Sequence, residues 1–161
     1  YVASNPGVAD DPLGFTFIDD KQRLARDLLE VRFMIEPQIA RMAAEHATND
    51  QVVCIKELCD ESERLAEAGE DYSAADTAFH NAIAESSGNL VVPRLMGVLK
   101  ASVPLFIDVT GKKLVEETIR THRGVADAIA ARNPTAAHDA MYLHLVYNRN
   151  MIAEGTQEQS E

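Results

Sequence analysis

Apolar residues recur at helical spacing from about Lys21 almost to the end of the chain, and this pattern constrains the fold more than any other feature. The first run is a stripe formed by Leu24, Leu28, Val31 and Ile35. No segment alternates apolar and polar residues in the way that a half-buried strand requires. We therefore expect an all-α fold, an antiparallel bundle of six or seven helices joined by short loops.

Capping and helix-breaking residues divide this pattern into segments. The Glu36-Pro37 pair predicts a break in the first helix, because proline has no N–H to donate to the preceding turn, and a new helix then runs to about Ala47. Thr48, Asn49 and Asp50 are candidate N-caps for the next helix, which should end near Gly69. Further boundaries or kinks are expected at Asp71, Ser87-Gly88-Asn89, Val103-Pro104, Gly111 and Asn133-Pro134.

The two ends of the chain lack the helical pattern. Residues 1–20 hold glycines, prolines and aspartates without a sustained period, which predicts a linker or arm. We expect the helical domain to span residues 21–153 and residues 154–161 to form a polar, frayed tail. Because the chain begins at Tyr1 rather than at a methionine and shows no signal peptide, we interpret it as a piece of a longer protein.

The chain is acidic, with 26 Asp and Glu against 15 Lys and Arg and a formal net charge of -11. Binding to DNA or to anionic lipid needs a cationic face, so neither is expected of this chain by itself. No apolar run approaches the ~20 residues of a membrane span. Cys54 and Cys59 would be about 140° apart on a helix and cannot pair locally, so we expect a cytoplasmic protein.

Ionisable residues on apolar helix faces carry the chemical information. Asp76 and His80 are four residues apart and share a face with core residues of their helix. His122 and His144 lie at helical spacing among apolar residues of the last two helices. An ionisable group that points into a core is costly unless something compensates it, so these four residues need a reason to be there.

A divalent transition metal is one such reason. Neutral imidazoles and a carboxylate are suitable ligands, and facing helices of a bundle can present Asp76, His80, His122 and His144 from three directions. The set favours zinc or nickel, with cobalt, iron and manganese also possible. Glu-x-x-His and His-Glu-x-x-His motifs are absent. The alternatives are a buried His–Asp hydrogen-bond network without metal and a metal that only staples the bundle.

Arg32 is a candidate ligand-binding residue. It lies at the edge of the first apolar stripe, between Leu28 and Ile35, where a guanidinium could clamp a carboxylate inside the bundle. The alternative is a surface arginine whose aliphatic stem covers the core and whose ion-pair partner is Glu36, one turn further on.

Asn148 lies one turn beyond His144 on the same face and could line the same cavity. His46, in the last turn of its helix, is expected outside the site. His138 lies about 240° round the helix from His144, and we expect it to face solvent, outside the site. A metal with an open position could activate water for hydrolysis, but Asp76 would already be a ligand and no Glu falls on the predicted inward faces near the histidines. We therefore expect no enzyme.

Three segments resemble motifs of the FCD domain, the C-terminal effector-binding domain of bacterial GntR-family transcription regulators in the FadR subgroup. They are EVRFMIEP at 30–37, followed by IARMAAE at 39–45; DTAFHNAI at 76–83, followed by SGN at 87–89; and HRGVADAI at 122–129, followed by Ala137 and His144. The resemblance covers about Lys21 to Met151.

This resemblance implies a function. The motif positions that bind metal in many family members fall on Asp76, His80, His122 and His144. It further implies that a small organic acid binds at the metal and that Arg32 helps to hold its carboxylate. A metal-dependent hydrolase and a bundle with a purely structural metal remain the alternatives.

The resemblance also implies what surrounds this domain. The opening residues Tyr1-Val2-Ala3 are similar to the end of the wing strand in a winged helix-turn-helix, which precedes the domain in this family. We therefore expect a ligand-sensing domain that contacts DNA only through an N-terminal domain absent from this chain. A homodimer is expected, because such regulators usually read two half-sites.

Overall fold

The computed structural model describes residues 14–99 and 115–158, and within these ranges the chain forms six α-helices and no strand. A short 3-10 turn at Phe15–Phe17 precedes the first of them. The helices are α1 (Lys21–His46), α2 (Asn49–Glu67), α3 (Ser73–Glu85), α4 (Val92–Leu99), α5 (Val115–Ala130) and α6 (Pro134–Glu158). The predicted all-α class is confirmed. The expected boundary at Gly111, the kink near Val103 and most of the N-terminal arm lie outside the described residues.

The break predicted at Glu36-Pro37 is wrong, because α1 continues through Pro37 to His46. A proline inside a helix removes one hydrogen bond and costs about 3 kcal/mol. Pro37 is itself fully buried, and buried residues lie on both sides of it, including Leu29 and Ile39. Because both halves of α1 bury side chains in the same core, packing outweighs the cost of the proline.

Local capping explains most of the helix ends. Thr48, one of the three candidate caps, forms a capping box with Gln51 at the start of α2. Near the start of α3, the Asp71 carboxylate accepts a hydrogen bond from the Ser73 backbone N–H at 3.0 Å. At the start of α6, the Asn133 side chain accepts one from the Ala136 backbone N–H at 3.1 Å. Helix α6 continues to Glu158, five residues past its predicted end.

The helices pack in a chain of neighbours: α1 on α6, α6 on α5, α5 on α2, α2 on α3, and α3 on α4. Helices α5 and α6 run antiparallel, because Arg120 contacts Tyr147 while Thr121 contacts His144. The bundle encloses a core whose largest fully buried side chains include Phe79, Ile55, Ile83, Ile129, Met141 and Leu145. No helix within the described ranges is long and apolar enough to cross a membrane.

Two glycines with the same backbone conformation provide a test of how tightly the turn after α3 is packed. Gly69 and Gly88 have φ of 71° and 72°, and a Cβ at Gly88 would lie 3.1 Å from Cβ of His46, whereas at Gly69 nothing lies within 4 Å. Gly69→Ala should cost about 1–2 kcal/mol of unfolding free energy for the left-handed conformation alone. Gly88→Ala should cost more, because it adds the contact with α1. Urea denaturation of both variants measures the difference, and equal losses would contradict the close approach.

Candidate metal centre

Three histidines from three helices meet in the core: His80 of α3, His122 of α5 and His144 of α6. All three are buried, and one ligand nitrogen from each lies within 4.8 Å of the other two. The ring centroids of His122 and His144 are 4.6 Å apart, and His80 lies 5.4 Å and 5.3 Å from them. The helical spacing predicts these inward positions. The grouping has the form of a site that could hold a metal ion.

Asp76 adjoins the three histidines. Its Oδ1 lies 3.3 Å from Nε2 of His122, and its Oδ2 lies 4.0 Å from Nε2 of His80. Two atoms bound to the same zinc, each at about 2.1 Å, are roughly 3.4 Å apart in a tetrahedral arrangement. The separation between Asp76 and His122 matches that value, although the contact lacks the alignment of a hydrogen bond. The carboxylate is therefore close enough to share an ion with His122, although the group whose ligand atoms all lie within 4.8 Å of one another comprises the three histidines alone.

Several nitrogens of this group have no hydrogen-bond partner within the described residues. They are Nε2 of His80 and both ring nitrogens of His122, all of them buried. A buried polar atom without a partner costs about 1–3 kcal/mol, and native structures contain few of them. Three in one cluster therefore call for a ligand. A metal ion meets most of this need, because it takes the lone pair on Nε2 of His80 and on one nitrogen of His122 without requiring a proton, while the other nitrogen of neutral His122 carries the ring proton.

His144 is held by two neighbouring side chains. Its Nδ1 lies 3.0 Å from Oγ1 of Thr121, and that hydroxyl also lies 2.7 Å from the Glu117 carbonyl. Because the hydroxyl donates its proton to the carbonyl, it accepts the hydrogen bond from Nδ1–H of His144, which leaves the lone pair on Nε2. Asn148 lies one turn further along α6, with Nδ2 at 3.3 Å from this Nε2. The structure thus brings Asn148 to the site, as its spacing predicts.

Burial tunes the charge of the site residues. Burial, then the neighbouring charges of His80 and Arg32, hold the pKa of His122 well below its ordinary value. Burial, then the charges of His122, His80 and Arg32, lower the pKa of His144 in the same direction. Both imidazoles are therefore neutral at pH 7, which is the form that binds metals. Burial raises the pKa of Asp76, against the opposing charges of His80 and Arg32.

Arg32 is not the surface arginine of the alternative interpretation, because only 3% of it is exposed. Its partner is Glu36, as that interpretation expected, and this carboxylate is equally buried. Nε of Arg32 donates to Oε1 of Glu36 at 2.5 Å, and Nη2 donates to Oε2 at 3.2 Å. Burial raises the pKa of Glu36, but the charge of Arg32 and the contact with His80 outweigh it and hold the pKa well below its ordinary value.

The prediction that no Glu lies near the histidines is wrong, because Oε2 of Glu36 lies 3.1 Å from Nδ1 of His80. The predicted break at Pro37 hid this residue, since it ended the apolar stripe of α1 just before the turn that carries Glu36. A signal was present: Glu36 continues the series of Leu28 and Arg32 at steps of four. Thr121 was also missed, and its contact with His144 depends on the register between α5 and α6.

The other two histidines lie outside the cluster. His46 is exposed at the end of α1, and its Nδ1 lies 2.9 Å from the Met42 carbonyl. His138 is half-buried, and its Nδ1 lies 2.9 Å from Oδ1 of Asp139. Both positions outside the cluster agree with the sequence prediction.

Comparison with known proteins connects this geometry to a family. A family model described as the FCD domain matches residues 27–147. The HTH-type transcriptional regulator LutR of Bacillus subtilis is 30% identical over 143 residues, covering 83% of this chain and 64% of LutR. A putative L-lactate dehydrogenase operon regulatory protein of Escherichia coli is 32% identical over 155 residues, covering 90% of this chain and 58% of that protein.

Two further similarities agree with these. The galactonate operon transcriptional repressor of Escherichia coli is 28% identical over 141 residues, covering 86% of this chain and 62% of the repressor. The solved structure of a Streptococcus agalactiae GntR protein superposes with a TM-score of 0.78 at 36% identity, covering 93% of this chain and 69% of that one. The chain thus spans about 55–64% of the length of the first curated relatives it matches.

The histidine cluster predicts that a divalent metal stabilises the fold. Zn²⁺ or Ni²⁺ added to chelator-treated protein at about one hundred times its Kd should add ~2.7 kcal/mol, or about 5–10 °C in Tm for a domain of this size. The same addition should leave the Tm of His122→Ala unchanged, because that variant lacks a ligand. His138→Ala is the control and should respond like the parent. Differential scanning calorimetry gives the shifts, and an equal response of His122→Ala and parent would contradict the site.

Proposed function

Because the chain belongs to the FCD family, the effector-binding domains of GntR-type transcription regulators, we propose that it senses a small carboxylate at a buried divalent metal. The observation that carries this proposal is the meeting of three buried histidines from three helices, with nitrogens that lack hydrogen-bond partners within the described residues. Such a cluster is costly in a core unless an ion occupies it. The DNA-reading part of the regulator would lie outside this chain.

Four side chains would hold the metal: His80, His122, His144 and Asp76. Three imidazole nitrogens and one carboxylate oxygen are suitable for zinc or nickel, and cobalt, iron and manganese accept the same donors. When bound, the ion would supply a positive charge and open positions for the oxygen atoms of a ligand. The protein residues themselves orient the imidazoles through Thr121 and Glu36 and exclude bulk water by burial.

The charge of the site favours an anionic effector. Arg32 carries one positive charge, and the carboxylates of Glu36 and Asp76 each carry one negative charge when ionised. A divalent metal therefore leaves the buried group with one net positive charge. Because unbalanced charge is costly in a core, a monocarboxylate would be the matching ligand.

Arg32 and Asn148 are proposed to contact this effector. The charge of Arg32 acts on Asp76 and on His144, so the guanidinium lies within electrostatic reach of the metal site. Arginine holds carboxylates through paired N–H donors. Since Glu36 already accepts two of these donors, an effector would share the guanidinium with Glu36. The amide of Asn148 would add a polar contact beside His144.

The names of two relatives suggest which acids to test. One relative is named for a galactonate operon and another for an L-lactate dehydrogenase operon. Galactonate and lactate are both 2-hydroxy acids, whose carboxylate and hydroxyl oxygens can bind one metal together. We therefore propose 2-hydroxy acids as the first class to screen.

Effector binding would alter DNA binding by changing how the helices are arranged. The proposed ligand contacts come from α1, α3, α5 and α6, so an effector that binds two arrangements unequally shifts the balance between them. The shift would pass through residues 1–20 to an N-terminal DNA-binding domain, in a cytoplasmic homodimer that reads two half-sites.

The enzymatic alternative finds no support among the relatives, which are transcriptional regulators and not enzymes. Glu36 is a carboxylate beside His80, but it is already hydrogen-bonded to Arg32 and to His80 rather than available as a general base. The alternative of a purely structural metal differs in one consequence, because no small acid would then bind.

Arg32→Lys tests the carboxylate contact while keeping a positive charge beside Glu36. Lysine loses the paired donors of arginine, so the affinity for a bound 2-hydroxy acid should fall about tenfold, equivalent to about 1.4 kcal/mol. Metal content should stay unchanged. Calorimetric titration of metal-loaded parent and variant with lactate and galactonate measures both affinities. Arg41→Lys is the matched control on the exposed side of α1, where Arg41 pairs with Glu45. Equal acid affinities of Arg32→Lys and parent would remove Arg32 from the site.

A further inference from the structure

Glu36 occupies a position that neither a packing role nor a simple ion pair explains. Only 2% of it is exposed, and its carboxylate lies between two different partners. On one side it accepts two N–H groups of Arg32, at 2.5 Å and 3.2 Å. On the other side its Oε2 lies 3.1 Å from Nδ1 of His80, on another helix. The carboxylate thus connects α1 to one of the three clustered histidines.

The direction of the hydrogen bond between Glu36 and His80 follows from its surroundings. Arginine can only donate, so both of its contacts require the Glu36 oxygens to accept. Glu36 is the ionised partner of Arg32, and an ionised carboxylate has no proton to donate, which makes Nδ1 of His80 the donor. In the neutral form of the imidazole, which is the form that binds metals, the proton therefore sits on Nδ1 and the lone pair on Nε2.

The lone pair is then on the nitrogen that faces Asp76. Nε2 of His80 is buried, has no hydrogen-bond partner within the described residues, and lies 4.0 Å from Oδ2 of Asp76. With the opposite tautomer, Nε2 would carry the proton and could not bind a metal. Thr121 holds His144 in the same sense, with Nδ1 as the donor. Two of the three histidines are thus each oriented by a neighbouring oxygen.

We propose that Glu36 is a positioning residue, which fixes His80 in the tautomer and ring orientation that ligate the metal. This inference rests on the proposed function, because it assigns a role toward the metal of that same site. The Arg32 guanidinium in turn holds Glu36 in place, so the orienting contact is a chain of Arg32, Glu36 and His80. Mutation of a carboxylate that hydrogen-bonds to a ligating histidine typically lowers metal affinity 10–100-fold.

Two variants test the role of Glu36. Glu36→Gln keeps the shape of the side chain, and the paired change Arg32→Leu with Glu36→Leu avoids leaving a single buried charge without its partner. Circular dichroism confirms folding. The Zn²⁺ affinity of each, measured by competition with a chelating dye, should fall at least tenfold. Glu45→Gln is the matched control, because Glu45 is the exposed partner of Arg41 on the same helix with the same spacing.

A spectroscopic readout separates positioning from a merely structural effect. In metal-free protein labelled with ¹⁵N histidine, long-range ¹H–¹⁵N spectra should show His80 as the Nδ1–H form in the parent and in Glu45→Gln. The paired Leu variant should lose that form, while the signals of His144 keep theirs through Thr121. Retention of the Nδ1–H form of His80 in the paired variant would overturn the proposal.

The affinity results distinguish this inference from the proposed function. Parent protein that binds no Zn²⁺ would refute the proposed function itself. Parent that binds Zn²⁺, together with Glu36→Gln and paired variants that bind it equally well, would refute only the role of Glu36.

Discussion

The cost of burying three imidazoles and a carboxylate in the middle of an apolar bundle is the constraint on which the structure depends. Helices α3, α5 and α6 each turn an ionisable residue inward, where an aliphatic side chain would pack at no electrostatic cost. This electrostatic cost is reduced because the groups contact polar neighbours. His122 lies against Asp76, His80 against Glu36, and His144 against Thr121. What remains uncompensated is a set of nitrogen lone pairs, and these define the chemistry of the centre.

Helix α1 joins that centre to the rest of the molecule. It contributes Arg32 and Glu36 from successive turns, and its continuation through Pro37 keeps the pair in one rigid segment. Both side chains are buried, so removing either partner would leave the other as an uncompensated charge in the core. Helix α1 packs along α6, which carries His144 and Asn148, while Glu36 contacts His80 on α3. A metal or ligand bound at the cluster would therefore act on several helices together.

Some parts of this arrangement could be predicted from the sequence, and others could not. The inward positions of Asp76, His80, His122 and His144 follow from spacing within single helices, a property of local geometry. Caps such as Thr48 are local too, and they were predicted. The continuation of α1 was not, because local rules count the lost hydrogen bond of Pro37 but not the burial on either side of it.

The contacts of Glu36 with His80 and of Thr121 with His144 were missed for a related reason. Their roles depend on which turn of one helix faces which turn of another, and a single sequence does not specify that register. Arg32 shows the same limit: its partner, four residues away, was predicted, but its burial depends on the packing of α1 against other helices. The inward positions of the four proposed ligands were thus predictable residue by residue, whereas the groups that contact them required the tertiary structure.

The most direct test of a metal-centred sensor is the metal content of the purified protein. Inductively coupled plasma mass spectrometry should find about one divalent transition metal per chain in the parent, in line with the one cluster of three histidines among the residues that the structure describes. A folded His122→Ala, His144→Ala double variant should contain none, since it keeps too few ligands. A parent that holds no metal, even after reloading with zinc and with nickel, would contradict the account. The inward histidines would then be a hydrogen-bonded core.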